Sequence, residues 1–292
     1  MNGILLIDKP SDWTSNDVVV KLKGVLHERR IGHAGTLDPM ATGLLTVFVG
    51  RATRAVQFAE GHDKRYTAHL RLGLVTDTQD TTGAVISRQD ASAVTADALR
   101  AVLADFVGEQ EQLPPMYSAI KVKGKRLYDI ARAGGTVERK PRHICISELS
   151  LVAREGDDWV LDVVCSKGTY IRALCNDIGE ALGCGGCMSA LRRTQAGEYT
   201  VDNAYTLDEV ISAAADGGAE KLLLPVDSLF SALPEWCASE RDERRIKCGN
   251  AVNAPGVPDG EYRVYAASGE LLMLGRAESG VMKTVKSFFE VK

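Results

Sequence analysis

No stretch of this chain approaches the twenty or so consecutive apolar residues that a bilayer-spanning helix requires. The opening residues, Met1-Asn2-Gly3-Ile4-Leu5-Leu6-Ile7-Asp8-Lys9, show neither a basic leader nor a small-residue cleavage site. This end therefore reads as a strand inside the fold, and a cytoplasmic protein is expected. A Gly-x-x-x-x-Gly-Lys-Ser/Thr loop is absent, which removes that cradle for nucleotide phosphates. Metal ligands are sparse as well. Cys184-Gly185-Gly186-Cys187 has no second Cys-x-x-Cys and no spaced histidine pair, and the lack of His-x-Glu argues against the zinc base deaminases. The 7 cysteines are odd in number and scattered, which suits reduced thiols better than a disulfide framework. No internal repeat or low-complexity tract is present.

Excess positive charge is missing too: 35 Lys and Arg face 39 Asp and Glu, a net charge of −4, unlike a general nucleic-acid binder. The distribution says more than the sum. Between Lys121 and Arg142 lie Lys121, Lys123, Lys125, Arg126, Arg132, Arg139, Lys140 and Arg142 against Asp129 and Glu138, eight minus two, or +6. Acid collects instead at 77–97 and 202–220. Charge separated in this way suits a protein with one anion-facing side.

What is present is an ordinary globular composition, 45% apolar and 25% charged, over 292 residues. That is enough for one large domain, or one large and one small. A strand at 4–7 precedes a turn whose Thr14 or Ser15 caps a helix over 16–26. A glycine-rich loop follows, then a strand at 45–49 and a short helix near 52–59. Alternation of Tyr66, Ala68, Leu70 and Leu72 predicts a half-buried strand over 64–72. Thr95 caps a helix whose Leu99, Val102, Leu103 and Phe106 share a face. Strands are expected at 144–152 and 159–165, a helix from Ile171 with Leu174, Ile178 and Leu182 on one face, a strand around Leu191 and a helix over 206–215. Beyond Pro234 the texture changes to short alternating strands.

The organising stretch is Gly32-His33-Ala34-Gly35-Thr36-Leu37-Asp38-Pro39-Met40-Ala41-Thr42-Gly43-Leu44-Leu45. It confines a histidine, three glycines and a carboxylate to a short loop. Such a carboxylate is placed by backbone rather than by a long side chain, and Pro39 pre-sets a turn. Taken alone, Asp38 could as well be a turn or helix-cap aspartate.

Gly-His-x-Gly-Thr-Leu-Asp-Pro-x-Ala-x-Gly-x-Leu at 32–45 resembles the catalytic motif of the TruB-type tRNA pseudouridine synthases. Around it, in that family's order, stand Lys9-Pro10 with Thr14-Ser15, Lys64-x-Tyr66, Gln112-x-Pro114-Pro115-x-Tyr117-Ser118-Ala119-x-Lys121, Ser166-x-Gly168-Thr169-Tyr170-Ile171-Arg172 and Leu191-Arg192-Arg193-Thr194. Together they cover roughly residues 1 to 230. The resemblance implies an α+β fold with a mixed, largely antiparallel central sheet flanked by helices. It also implies a catalytic domain over 1–233, with a basic RNA-binding thumb at about 114–143, and a small β-rich PUA-like domain over 234–292.

The implied activity is isomerisation of uridine to pseudouridine at position 55 in the T-loop of tRNA, without a cofactor. The chemistry agrees: the bond from ribose C1′ to N1 breaks, the base turns and C1′ rejoins C5, so nothing is oxidised and no group is donated. An ionised carboxylate beside a glycosidic bond is a familiar requirement. By the family match Asp38 is that carboxylate. Arg172 is its partner, since a neighbouring guanidinium opposes the protonation that a dry pocket favours. Tyr66 is the active-site tyrosine, stacking on the base and placed to remove a sugar proton. Tyr170 and Leu191 form the pocket wall and floor, and Asp80 hydrogen-bonds the base. His33 fills the space left by the flipped nucleotide. Lys9, Lys64, Lys121, Arg132 and Arg142 are expected to contact RNA, the last three from the thumb.

The expected partner is the T-arm of tRNA, acted on by a monomer with no membrane and no obligatory protein partner. Two departures from the family pattern stand out: Asp12 where glycine is usual, and Cys187 where histidine or tyrosine is often found. Aspartate tolerates the left-handed conformation, so the Asp12 turn can persist. Two other readings are a non-catalytic tRNA-binding protein or folding chaperone, and a zinc or redox role for Cys184 and Cys187.

Overall fold

The computed structural model describes residues 1–118, 120–122 and 124–290. A large mixed sheet carries the first two-thirds of the chain. In chain order its strands are β1 (Gly3–Lys9), β2 (Ile31–Ala34), β3 (Thr42–Val49) and β4 (Lys64–Leu72). A side hairpin of β5 (Leu74–Thr76) and β6 (Val85–Arg88) follows, then β7 (Gly108–Gln112), which returns to the main sheet. The basic segment holds a two-stranded ribbon, β8 (Lys121–Val122) and β9 (Lys125–Arg126). The main sheet is completed by β10 (Arg142–Glu155), β11 (Asp158–Cys165), β12 (Gly186–Ala196) and β13 (Tyr199–Thr200).

Its spatial order is β1-β3-β12-β4-β11-β10-β7, with β2 on β3 and β13 on β12. Pairings are antiparallel except for β12 with β3. The mixed, largely antiparallel α+β architecture is therefore observed.

Alternation along β1 and β3 explains why both runs are continuously apolar. Ile4, Leu6, Leu44 and Phe48 enter one core, while Leu5, Ile7, Leu45, Val47 and Val49 enter the core on the other face. A strand covered on both sides has no face to leave polar. The second of these cores is capped by helices α1 (Ser15–Val25) and α6 (Leu207–Ala215). The short α2 (Val56–Ala59) follows a 3-10 turn at Gly50–Ala55, so the first half of the short helix expected at 52–59 is 3-10 and the second half α-helical. A third core lies under α3 (Ala96–Asp105) and α5 (Ile171–Ala181), and α4 (Leu127–Arg132) sits in the basic segment. Helix α5 approaches β12 closely at Gly179, where a Cβ would stand 2.2 Å from the Gly186 nitrogen. A larger residue there would push away the helix that carries Arg172.

From Glu235 the chain forms a second sheet: β14 (Glu235–Cys237), β15 (Val252–Asn253), β16 (Gly260–Tyr265), β17 (Leu271–Glu278) and β18 (Val281–Ser287), with α7 (Glu240–Lys247) between β14 and β15. Leu274 and Phe288 of this part enter the core beneath β1 and β3, where the Phe230 ring meets Phe58 edge-to-face and Phe288 at a tilt. Among the described residues no helix is long and apolar enough to cross a membrane.

Candidate active site

Asp38 lies in the turn between β2 and β3, and the turn is held from three sides. Thr14 caps α1 with a full capping box, so Ser15 begins the helix at a fixed angle. The Ser15 Oγ accepts from Leu37 N at 2.9 Å and donates to Leu37 O at 3.2 Å, one residue before Asp38. From below, the Lys9 ammonium donates to the carbonyls of Pro10 (2.8 Å), Trp13 (2.6 Å) and Pro39 (3.2 Å). Asp12 takes φ 65° and donates its backbone N–H to Pro39 O at 2.8 Å, so the left-handed turn survives without glycine. On the remaining side, Arg193 donates Nη2 to Gly35 O (2.9 Å) and Nε to Leu44 O (2.7 Å), clipping both flanks of the turn. Gly43 permits this approach: its φ is 97° and a Cβ would meet Arg193 O at 2.3 Å.

Arg172 arrives from the first turn of α5. The entry of that helix is fixed by Gln112, whose amide accepts from Tyr170 N (2.8 Å) and donates to Tyr170 O (3.1 Å). The Arg172 side chain is only 6% exposed, and its fork faces Asp38, with Nε at 2.9 Å from Oδ2 and Nη2 at 3.5 Å from Oδ1. Its other donors bind Thr78 O (2.9 Å) and Tyr117 O (2.8 Å). The guanidinium therefore joins three segments remote in sequence, and each hydrogen bond to it is charge-assisted. Asp80 completes the cluster. Its Oδ1 accepts from Thr78 Oγ1, Thr82 N and Thr82 Oγ1, and its Oδ2 stands 3.8 Å from Arg172 Nε.

Tyr66 on β4 is directly opposite Arg193 on β12, so both side chains share a face. Burial pushes its phenol above the usual range, and the neighbouring Arg193 opposes that rise. Tyr66, Leu191, Leu37, Ala41 and Ile171 belong to one apolar core, a greasy floor beside the charged cluster. Tyr170 is the residue before α5 and is half-buried. Asp38, Tyr66, Asp80, Tyr170, Arg172 and Leu191 are thus tied together by contacts, a shared core or the entry to α5.

Other expected site residues sit differently. His33 is on β2, opposite Val47, rather than on a loop. Its ring is partly buried, its Nδ1 lacks a partner among the described residues, and burial followed by Arg193 lowers its pKa. Lys9 is 0% exposed, and burial lowers its pKa to about 8 despite the opposing Asp12 and Asp38. With its three donors spent on carbonyls, Lys9 braces the Asp38 turn. Lys64 is likewise buried and donates to Glu60 O and His62 O. Arg132 ends α4 with its guanidinium 5.4 Å from the Tyr128 ring centre, and Arg142 opens β10 on the exposed surface. The side chains of Lys121 and Arg126, and residue Lys123, lie outside the described residues. Arg193 and Gln112 are the residues that sequence reasoning left without a role, though both fall inside quoted motifs. A separate groove of about 600 Å³ beside β5 and β6, lined by Arg71, Arg88 and Trp159, contains none of Asp38, Tyr66 and Arg172.

The sequence matches the model for the N-terminal domain of TruB family pseudouridylate synthases over residues 23–171. It matches the tRNA pseudouridylate synthase B C-terminal domain model over residues 172–231. The tRNA pseudouridine synthase B of Ralstonia nicotianae is 45% identical over 293 residues, covering 97% of this chain and 93% of that protein. The Burkholderia mallei protein of the same name is 44% identical over 289 residues, covering 97% and 95%. Among solved structures, an H/ACA RNP bound to a substrate RNA containing 2′-deoxyuridine aligns with a TM-score of 0.75 at 25% identity, over 99% of this chain and 86% of that one. A Cbf5–Nop10–Gar1 complex aligns with a TM-score of 0.75 at 27% identity, over 99% and 85%.

Proposed function

Because this chain belongs to the TruB family of pseudouridylate synthases, we propose that its Asp38 cluster isomerises uridine 55 in the T-loop of tRNA to pseudouridine. The enzyme class follows from the family: a uridine-to-pseudouridine isomerase acting on tRNA. The finer assignments to position 55 and to individual residues are our reading. The observation that carries them is the fork between Arg172 and Asp38, 134 residues apart in sequence, at the edge of an apolar floor.

Asp38 is half-open, its side chain 39% exposed, whereas Arg172 is almost wholly covered. A ligand can therefore reach the carboxylate while the guanidinium holds it from behind. A flipped uracil laid over Leu191 and Tyr66 would bring its glycosidic bond toward Asp38. Asp80, oriented by Thr78 and Thr82, is the candidate for an edge contact. His33 takes the space left in the T-loop as a neutral imidazole, in keeping with its lowered pKa. Tyr170 and Leu191 line the pocket. Arg132, Arg142 and Lys121 of the segment at about 114–143 serve phosphate contacts, and residues 234–292 form a PUA-like RNA-binding unit beside the catalytic domain at 1–233.

Purified protein is expected to convert an unmodified tRNA transcript with no added nucleotide, metal or partner protein. Chemical mapping of pseudouridine should place one product at position 55. Product elsewhere in the tRNA would overturn the site assignment, and a requirement for a second protein would overturn the stand-alone reading.

A further inference from the structure

We propose that Arg193 is a positioning residue for this reaction, holding the Tyr66 phenol oxygen as a hydrogen-bond acceptor so that the phenol's single proton is directed into the pocket. This rests on the reading that Tyr66 faces the substrate. The basis is where Arg193 sits. It is 1% exposed, and no carboxylate among the described residues lies within ion-pair distance of it. Its neighbour Arg192, by contrast, forks onto Asp8 at 2.8 and 3.0 Å. A buried cation without an anion is costly, and removal from water is compensated only by good hydrogen bonds. Two of these go to the carbonyls of Leu44 and Gly35. The remaining Nη1 lies beside Gly35, 3.1 Å from where a Cβ would stand.

The cross-strand register pairs Arg193 with Tyr66, and the guanidinium acts on the phenol both as a nearby positive charge and as a hydrogen-bond donor. Guanidinium can only donate. Wherever it meets the phenol oxygen, that oxygen accepts, and the O–H must point elsewhere. A phenol without this partner could turn its proton toward a backbone carbonyl instead, leaving the pocket without a donor. Arg193 also clips the Asp38 turn, so one side chain registers the carboxylate and the tyrosine against each other.

The charged and titratable groups around the phenol are Asp38 from the β2–β3 turn, Cys165 from β11 and Arg193 from β12. Burial lowers the proton affinity of His33, Lys64 and Lys9, and the nearby Arg193 charge lowers each a little further. Of the groups around Tyr66, Arg193 is the cation, so its removal raises the phenol's affinity for its proton.

The test replaces Tyr66 with 3,5-difluorotyrosine, whose more acidic phenol titrates within the protein's stable range, and follows it by fluorine NMR in the full chain without RNA. Arg193→Gln keeps an amide donor for the carbonyls but removes the charge. Its midpoint is expected about one pH unit above that with Arg193 present, a tenfold change in proton affinity. Arg193→Lys should fall between, because one short ammonium cannot serve both carbonyls and the phenol. In the unlabelled enzyme, the pH profile of kcat/KM should shift in the same order. An unmoved midpoint with lowered thermal stability would make Arg193 a brace alone and overturn the proposal. If Arg193→Gln does not fold, Arg193→Lys decides on the same criterion. Since the midpoint is read without substrate, a failure of pseudouridylation leaves this result separately legible.

Discussion

Replacing Arg172 by methionine keeps much of the side chain's bulk and deletes its fork. Four contacts go: those to Asp38 at 2.9 and 3.5 Å, to Thr78 O at 2.9 Å and to Tyr117 O at 2.8 Å. Stripping one partner from a buried pair costs about 3–5 kcal/mol. That range needs discounting here, because Asp38 is 39% exposed and can rehydrate. The two carbonyls lose a charged donor, at about 1–3 kcal/mol each. A stability loss of about 3 kcal/mol is the expected outcome in urea denaturation. The effect on turnover should be larger, since a carboxylate displaced by about an ångström already costs about a hundredfold. We expect a loss of about a thousandfold or more. Arg172→Lys keeps the charge without the planar fork and should lose about ten- to a hundredfold. Joining C1′ to C5 displaces the hydrogen on C5, so tritium release from 5-labelled uridine in tRNA, under single-turnover conditions, reads the step directly. An Arg172→Met enzyme within about threefold of wild type in that assay would refute the pairing as the basis of catalysis.

Three other outcomes follow from the same geometry. Lys9, at about 8 when folded against 10.5 for the free group, binds its proton more weakly in the native state. Between those pH values the unfolded chain holds the extra proton, so stability from this group rises with pH, by about 1.4 kcal/mol per unit at most; the difference between wild-type and Lys9→Met denaturation curves should climb across that window, and a flat difference would contradict it. His33 should titrate below its ordinary 6.5 by NMR in the free protein, since burial and Arg193 both disfavour its charge; a midpoint at or above that value would be inconsistent with a half-buried ring beside a cation. Arg132→Ala and Arg142→Ala should each flatten the salt dependence of tRNA binding by nearly one unit of slope; an unchanged slope would remove that residue from the phosphate-contacting set.

Much of this was legible from periodicity. The strand over 64–72 and the helix capped by Thr95 come out as β4 and α3, because alternation and i, i+3, i+4 spacing report burial on one face. The missed elements share a cause. β7 reads Gly-Glu-Gln-Glu-Gln and is a sheet edge held by pairing with β10, with little apolar surface to announce it. β2 is short and lies within a glycine-rich motif, so its pairing with β3 overrides local propensity. Helix α7 is dominated by charged residues, with Ile246 as its one buried side chain, so no apolar stripe announces it. At the site, motif membership marked Asp38, Tyr66 and Arg172, but could not separate residues that face the pocket from those that brace it. Lys9 and Lys64 look like phosphate ligands in sequence and prove to be spent on carbonyls. Arg193 carries no assigned role within its motif and is buried. Whether a cation meets solvent or a carbonyl is decided by strand register, which a sequence motif does not encode.

The central claim is that the Asp38 carboxylate performs the glycosidic chemistry while the surrounding braces only place it. Asp38→Asn preserves shape and can still accept a hydrogen bond from Arg172, so it isolates the charge. Measured side by side, tRNA affinity should stay within about tenfold of wild type, while single-turnover tritium release and mapped pseudouridine both vanish. Product formed at a rate near wild type by this variant would contradict the account.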